Sequence, residues 1–395
     1  MIMGIFAPRR TQMASQNRRA QLNPTHRDAA HAEDGGLTLA PEGAFRRVLS
    51  LERKRSERSR QRFVLMLVHI GELLQAERGE AILGAMTKAL SMSTRETDSR
   101  GWYKKDTVVG VICTEIGSAS MNSILSALHS RVSSALRNSL HLENMNTIHI
   151  SFHVYPDDLD LENGGRPADA RLYPDLSPHD NATKASQLIK RTIDLMGSFF
   201  ALLLLSPLLI IIAVAIKLTS KGPILFKQQR LGLFGVLFTF VKFRTMNFQN
   251  DARIHRNFVK QLISAKGDHH QPDGDKNVYK IKDDPRVTRV GRYLRKTSLD
   301  ELPQFFNVLR GEMSLVGPRP PIPYEVEAYD IWHRRRFLEA KPGMTGLWQV
   351  EGRSRVKFDE MVRLDIRYAK TWSPWLDIKI LLRTPWAVVR GVGAH

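Results

Sequence analysis

KRTIDLMGSFFALLLLSPLLIIIAVAIKLTSKG, residues 190–222, decides the architecture of this chain. From Leu195 to Ile216 it carries no charged side chain. As a straight helix that run is ~33 Å long, enough to cross a bilayer core. A core helix of a soluble domain rarely lacks a polar face, so the run is expected to meet lipid. Ser206–Pro207 stands at its middle, where proline removes a backbone hydrogen bond and kinks a helix. A kinked helix can dip into one leaflet and return; a straight one spans. Both flanks are basic: Arg171, Lys184, Lys190 and Arg191 before, Lys217, Lys221, Lys227 and Arg230 after, with no acid between Asp194 and Asp251. Basic residues collect on the cytoplasmic side of membrane segments, so charge marks neither end as the outer one. Spanning would put the two soluble parts on opposite sides, and re-entry would keep both in the cytoplasm. The residues themselves leave the two arrangements open.

On either side of this run there is material for more than one domain. The chain has 395 residues and a formal net charge of +19, which points to an anionic partner: nucleic acid, a membrane surface or phosphorylated substrates. Zinc-finger spacing and RNA-binding aromatic signatures are missing, so nucleic acid is not favoured. The single cysteine, Cys113, lies in the apolar run VVGVICTEI and is expected to be a buried thiol. The opening MIMGIFAPRR is too short an apolar stretch for a signal peptide. Residues 1–41 are polar and Arg-rich, an expected disordered arm. Residues 42–156 read as a small α/β domain: helix, buried strand FVLMLVHI, helix, a hairpin turning near Lys104–Asp106, helix, and closing strand NTIHISFHVY. In that order an antiparallel sheet packs helices on one face. Residues 157–185, rich in Pro, Gly, Asp and Asn, read as a linker, and 186–390 as the second domain, with its membrane helix at 195–216.

Within the second domain, SLDELPQFFNVLRGEMSLVGPRP (298–320) opens on the adjacent acids Asp300 and Glu301. Ser298-x-x-Glu301 fits a capping box, and acids suit a helix N-terminus. Leu302, Phe305, Phe306 and Leu309 would form one buried face, with Gly311 as the stop. If Ser298 is the cap, Pro303 falls just past the first turn; a start nearer Asp300 puts it where it does no harm. On this segment alone, capping and catalysis both stand. Elsewhere, His269–His270 in GDHHQPDGD lack metal-ligand spacing, and no Walker or Rossmann pattern occurs.

Four stretches in order resemble the monotopic polyprenyl-phosphate phosphoglycosyl transferases, the bacterial sugar transferases. They are GPILFKQQRLGLFGVLFTFVKFRTM, RVTRVGRYLRKTSLDELPQFFNVLRGEMSLVGPRP, KPGMTGLWQVEGRS and LDIRYAKTWSPWLDIKILLRT. The resemblance covers about residues 187–388. It implies transfer of a sugar-1-phosphate from a UDP-sugar to a polyprenyl (undecaprenyl) phosphate, with release of UMP, as the first membrane step of exopolysaccharide, capsule, O-antigen or glycoprotein glycan assembly. It implies a mostly helical, membrane-embedded catalytic domain with a kinked re-entrant helix and interfacial amphipathic helices, facing the cytoplasm of the bacterial inner membrane. Asp300 matches the family nucleophile, and Glu301 the neighbour that helps it hold Mg²⁺. A carboxylate nucleophile would divide the transfer into two steps through a phosphosugar-aspartyl intermediate. Lys242, Arg295 and Arg319 match residues at the substrate phosphates, and Asp365 an acid near the metal or nucleotide. Lys190, Arg191 and Asp194 also match. With Ser206 and Pro207 they are assigned to seating in the membrane, where headgroup phosphates favour basic side chains.

Trp348, Trp372, Trp375 and Trp386 suit a headgroup zone, and WLDIKILLRTPWAVV an amphipathic helix lying on it. Residues 42–156 weakly resemble a degenerate GGDEF, cyclase-like (ferredoxin-like) domain. The glycine-rich turn is replaced by Lys104-Lys105-Asp106, and the first strand ends in His69 without the family's carboxylate, so a regulatory or docking role, or a purely structural one, is expected. The rival reading is a catalytically degenerate membrane scaffold. The sugar, the glycan and homo-oligomerisation stay open.

Overall fold

The computed structural model describes residues 38–74, 79–117, 119–140, 147–157, 167–176, 181–247, 286–351 and 356–389. The expected arm (all but its last four residues), residues 158–166 and 177–180 of the linker stretch, and His269–His270 lie outside them. The chain forms two compact units. One gathers the described residues of 1–45, 66–113 and 117–151, and the other those of 46–65, 114–116 and 152–395.

The first region follows the expected order. Helix α1 (Glu42–Ser59) leads to strand β1 (Phe63–His69), then to α2 (Gly71–Leu74) and α3 (Gly79–Ser93). β2 (Ser99–Lys104) and β3 (Val108–Cys113) form an antiparallel hairpin, followed by α4 (Met121–Ser139) and β4 (His149–Tyr155). The sheet order is β2-β3-β1-β4. β1 and β3 are continuous apolar runs because both faces are covered; Val64, Leu65, Val109 and Ile112 are fully buried. The hairpin turns through Asp106 at φ 54°, an αL position that Asp tolerates. Gly110 is required by packing, since a Cβ there would meet the Phe45 ring at 2.5 Å. Cys113 is buried, as expected, and burial pushes its thiol up to about 12, the mark of an inert structural cysteine.

In the second unit the stretch read as a linker is packed where it is described. Leu172 and Tyr173 are buried, and the Tyr173 hydroxyl donates to Asp157 Oδ1 at 3.1 Å. The long helix α5 (Asn181–Thr219) follows, with Pro207 inside it. Over 185–219 it is long and apolar enough to cross a membrane. Its outward side chains are bare: Leu204 is 80% exposed and Ile211 65%.

The two ends of α5 are fastened to the same unit. Near the start, Lys190 Nζ donates to Asp377 Oδ2 (2.7 Å), Val316 O (3.1 Å) and the Tyr368 hydroxyl (3.2 Å). Arg191 donates to Val308 O and Leu309 O, 2.7 and 2.8 Å away. Asp194, 4% exposed, accepts from Ser314 Oγ and Leu315 N, both at 2.9 Å. These contacts correct the expectation that Lys190, Arg191 and Asp194 meet headgroups. Their charges are used inside the protein, where partners outcompete solvent at close range. Ser206 Oγ donates back to Leu203 O at 2.8 Å. Near the other end, Ile212 and Ile216 are buried with Phe243 and Leu294, against Leu299 and Leu302.

The rest of the unit surrounds two small sheets. β5 (Leu225–Leu231) and β6 (Leu237–Phe243) are an antiparallel hairpin. β7 (Ser314–Val316) and β8 (Gly343–Thr345) pair in parallel, so close that a Cβ on Gly343 would lie 2.0 Å from Gly317 N. Helices α6 (Arg289–Thr297), α7 (Gln304–Arg310), α8 (Pro323–Val326), α9 (Arg335–Leu338), α10 (Leu347–Glu351), α11 (Phe358–Thr371) and α12 (Pro374–Val389) complete it. The core gathers Phe238, Phe240, Val308, Met313, Val316, Tyr368 and Ile380. α12 is apolar on two sides. Ile380 faces that core, while Trp375, Ile378, Leu382 and Trp386 are exposed at helical spacing, Trp375 by 70%.

Candidate active site

The acid pair stands on a turn between two helices. α6 starts at Thr288, whose hydroxyl accepts from Gly291 N at 2.9 Å, and ends at Ser298 in the left-handed region (φ 58°). A single 3-10 turn, Leu299–Glu301, follows, and Pro303 then leads into α7. The expected capping box at Ser298 is not made: the residue closes the preceding helix and its side chain caps nothing. Pro303 sits at the N-cap of α7, where its missing N–H costs no hydrogen bond. Gly311 ends α7 with φ 84°, as expected. The buried face is rotated from the expected one: Val308 is fully buried and Phe306 is 47% exposed. Gln304, 2% exposed, has an Nε2 without a hydrogen-bond partner among the described residues.

Two contacts bring α6 against the end of β6. A Cβ on Gly291 would lie 2.0 Å from Thr245 O, so only glycine permits the approach. Arg295 then donates Nε–H to Thr245 Oγ1 at 3.2 Å. Lys242 is three residues earlier, on β6, half-buried, with Nζ 5.3 Å from the Phe226 ring centroid. Burial pushes its ammonium down to about 8. Asp300 pulls it back up, whereas Arg230, Arg295 and Arg319 push it further down. Arg230, 4% exposed on β5, is lowered to about 10 by burial and by Arg319, against Glu325 and Glu301. Asp300, Glu301, Lys242, Arg230, Arg295 and Arg319 therefore share one electrostatic field, supplied by four separate segments of chain. Asp300 is 7% exposed. A buried acid beside several cations is suited to nucleophilic or phosphate chemistry.

Arg319 is exposed in the loop Gly317–Pro321, whose prolines are buried. Asp365 departs from expectation. It is 1% exposed, and its Oδ2 lies 2.8 Å from Arg336 Nη2. Burial pushes its carboxyl up to about 6 although Arg336 lowers it. Arg336 in turn donates to Arg319 O at 3.2 Å. Two arginines thus went unrecognised in the sequence: Arg230, read as a membrane flank, and Arg336, inside the run HRRRF. A basic run reads as solvated surface, and only burial distinguishes its third arginine.

Among the described residues no three His, Cys, Asp or Glu side chains gather as a metal cage. Two adjacent carboxylates fit an ion that completes its shell with phosphate oxygens and water, as Mg²⁺ does.

Residues 185–391 match the family model described as bacterial sugar transferase. The chain is 45% identical over 213 residues to a galactosyl transferase CpsE of Streptococcus agalactiae, covering 53% of this chain and 44% of that one. It is 44% identical over 216 residues to an undecaprenyl-phosphate galactose phosphotransferase of Salmonella typhimurium, covering 54% and 43%. It is 40% identical over 206 residues to the exopolysaccharide production protein ExoY of Sinorhizobium fredii, covering 52% and 88%. The chain thus spans less than half the length of the first two relatives. A solved DGC protein from Thermotoga maritima covers 31% of this chain and 86% of its own, at 19% identity and a TM-score of 0.23.

Proposed function

This chain belongs to the bacterial sugar transferase family, and from that premise we propose that it transfers a sugar-1-phosphate from a UDP-sugar to a polyprenyl phosphate. The observation that carries the reading is the acid pair Asp300–Glu301 set among Lys242, Arg230, Arg295 and Arg319, on a unit that bears a long exposed apolar helix. Both substrates are anionic, so bringing them together requires cations. An Asp300 oxygen attacks the β-phosphorus; the bond from that phosphorus to the bridging oxygen breaks, and UMP leaves with the electron pair. A phosphosugar-aspartyl ester remains. A lipid phosphate oxygen then attacks the same phosphorus and returns Asp300 as carboxylate. Covalent catalysis replaces one hard transfer by two easier ones. Asp300 and Glu301 would hold Mg²⁺, which when bound offsets charge on the diphosphate oxygens. Lys242, Arg295 and Arg319 orient the phosphates.

Membrane seating and topology are part of the proposal. Residues 190–194 and residues 208–216 both contact one unit, which supports a helix that enters one leaflet and returns. A spanning helix would separate the partners of its two ends by the full bilayer. The bare face of α12 supports a helix resting in the headgroup zone. On this reading the soluble parts face the cytoplasm at the bacterial inner membrane, and the product enters exopolysaccharide or capsule assembly. The names of the relatives make UDP-galactose and UDP-glucose the first donors to try.

The test is UMP release from UDP-galactose, UDP-glucose and other UDP-sugars, with undecaprenyl phosphate and Mg²⁺, by wild type and Asp300→Asn. Release by wild type that the variant abolishes supports the covalent route. Equal release by the variant removes Asp300 as nucleophile. No release from folded protein with any donor favours the scaffold reading.

A further inference from the structure

The loop that presents Arg319 is held in an unusual way. Its sequence, Gly317-Pro318-Arg319-Pro320-Pro321, has three residues without a backbone N–H. Such a segment cannot pair its own carbonyls, and a buried carbonyl left unpaired costs stability. Here every carbonyl from 318 to 321 is taken, each by a different donor. Gly343 N donates to Pro318 O at 2.8 Å, and Leu231 N to Pro321 O at 3.0 Å. The two between them are taken by buried arginine side chains: Arg336 Nη2 donates to Arg319 O at 3.2 Å, and Arg230 Nη1 to Pro320 O at 2.7 Å. Pro318, Pro320 and Pro321 are buried, so the Arg319 side chain is what the loop offers to solvent.

Each of these arginines is itself fixed. Arg230 also holds Gln228 Oε1 through Nε (3.2 Å) and Nη2 (3.0 Å), and stacks 4.3 Å above the Phe240 centroid. Arg336, 2% exposed, also holds the Tyr329 hydroxyl (3.1 Å) and faces Asp365 (2.8 Å). A guanidinium fork with several committed donors is a rigid support, which a lysine is not.

We propose that Arg230 and Arg336 are positioning residues: by holding the backbone carbonyls of Arg319 and Pro320 they aim the Arg319 guanidinium at the substrate phosphates. Asp365 belongs to this device through Arg336, which accounts for its burial. The inference rests on the proposed phosphate contact of Arg319, and the experiment separates the two.

Full-length protein in lipid nanodiscs is assayed for UMP release with the donor that wild type uses, for Arg319→Ala, Arg230→Met, Arg336→Lys and the two doubles with Arg319→Ala. Arg336→Lys keeps a positive charge beside Asp365, and Arg230 makes no ion pair within 4 Å among the described residues, so neither variant breaks a direct salt bridge from one side. Rates are normalised to folded protein. Each single variant is expected to lower kcat/KM about tenfold, and by less than about twofold once Arg319 is alanine, because coupled residues are not additive. A merely structural role lowers activity by the same factor in both backgrounds, and that result overturns the positioning role alone. Full activity in Arg319→Ala overturns the phosphate contact, and the positioning role with it. No turnover by wild type with any UDP-sugar overturns the transfer reading and this inference together.

Discussion

Replacing Lys190 by methionine should destabilise the second unit strongly. The Lys190 side chain is 18% exposed and that of Asp377 only 4%. Asp377 receives Lys190 Nζ at 2.7 Å, the Tyr368 hydroxyl at 2.7 Å and Trp372 Nε1 at 3.1 Å. Methionine fills the lysine's volume but leaves a buried carboxylate with neutral donors alone. Breaking a buried pair from one side costs ~3–5 kcal/mol. The partial exposure of Lys190 argues for the lower end, ~3 kcal/mol. At ~2–4 °C per kcal/mol for a body of this size, the thermal midpoint falls by ~6–12 °C. Asp377→Asn should cost less, ~1–2 kcal/mol, because the released ammonium can turn toward water. The double variant Lys190→Met/Asp377→Asn should then be more stable than Lys190→Met alone. The assay is thermal unfolding of the full chain in nanodiscs, with vesicle flotation beside it. Weakened flotation with an unchanged midpoint, and no rescue by Asp377→Asn, would refute the internal pair and restore Lys190 to the headgroups.

Four further outcomes are expected. As pH rises through about 8, Lys242 loses its proton; kcat/KM should fall there in wild type, and Lys242→Arg should move that limb to higher pH. Stability runs the other way: a folded lysine pKa below its ordinary value means a cost of the buried ammonium that disappears from about 8 upward, so unfolding midpoints should rise with pH over this range. Gly291→Ala forces a Cβ to within 2.0 Å of Thr245 O unless α6 retreats with Arg295; a shift of ~1 Å should lower kcat/KM by tenfold or more, and unchanged kinetics would contradict the close approach. Trp375→Ser with Trp386→Ser removes two exposed rings from α12. At ~1.5–3 kcal/mol per buried aromatic, vesicle partitioning should fall more than tenfold, and unaltered flotation would remove α12 from the interface.

What the residues alone determined is local and periodic. The uncharged run from Leu195 to Ile216 declared a long apolar helix, because no polar stripe was left to face water. The continuous apolar runs at 63–70 and 108–113 declared buried strands, and Lys104–Asp106 the hairpin turn that precedes the second. Gly311 ended α7 through its φ preference, whereas the start falls at Pro303 and not at Ser298 or Asp300. The adjacent acids and the proline-set Arg319 were legible because their chemistry and order resemble those of a known family. The tertiary structure decided which charges meet. Lys190, Arg191 and Asp194 look the same in sequence whether they face headgroups or a core; contacts across more than 110 residues assign them to the core. Arg336 was indistinguishable from a surface charge until burial paired it with Asp365. Arg230 joined the site only because β5 carries it beneath the Arg319 loop. Periodicity reports the face a residue takes on its own element, whereas the partner of a buried charge depends on chain brought from far away, and no local pattern encodes that.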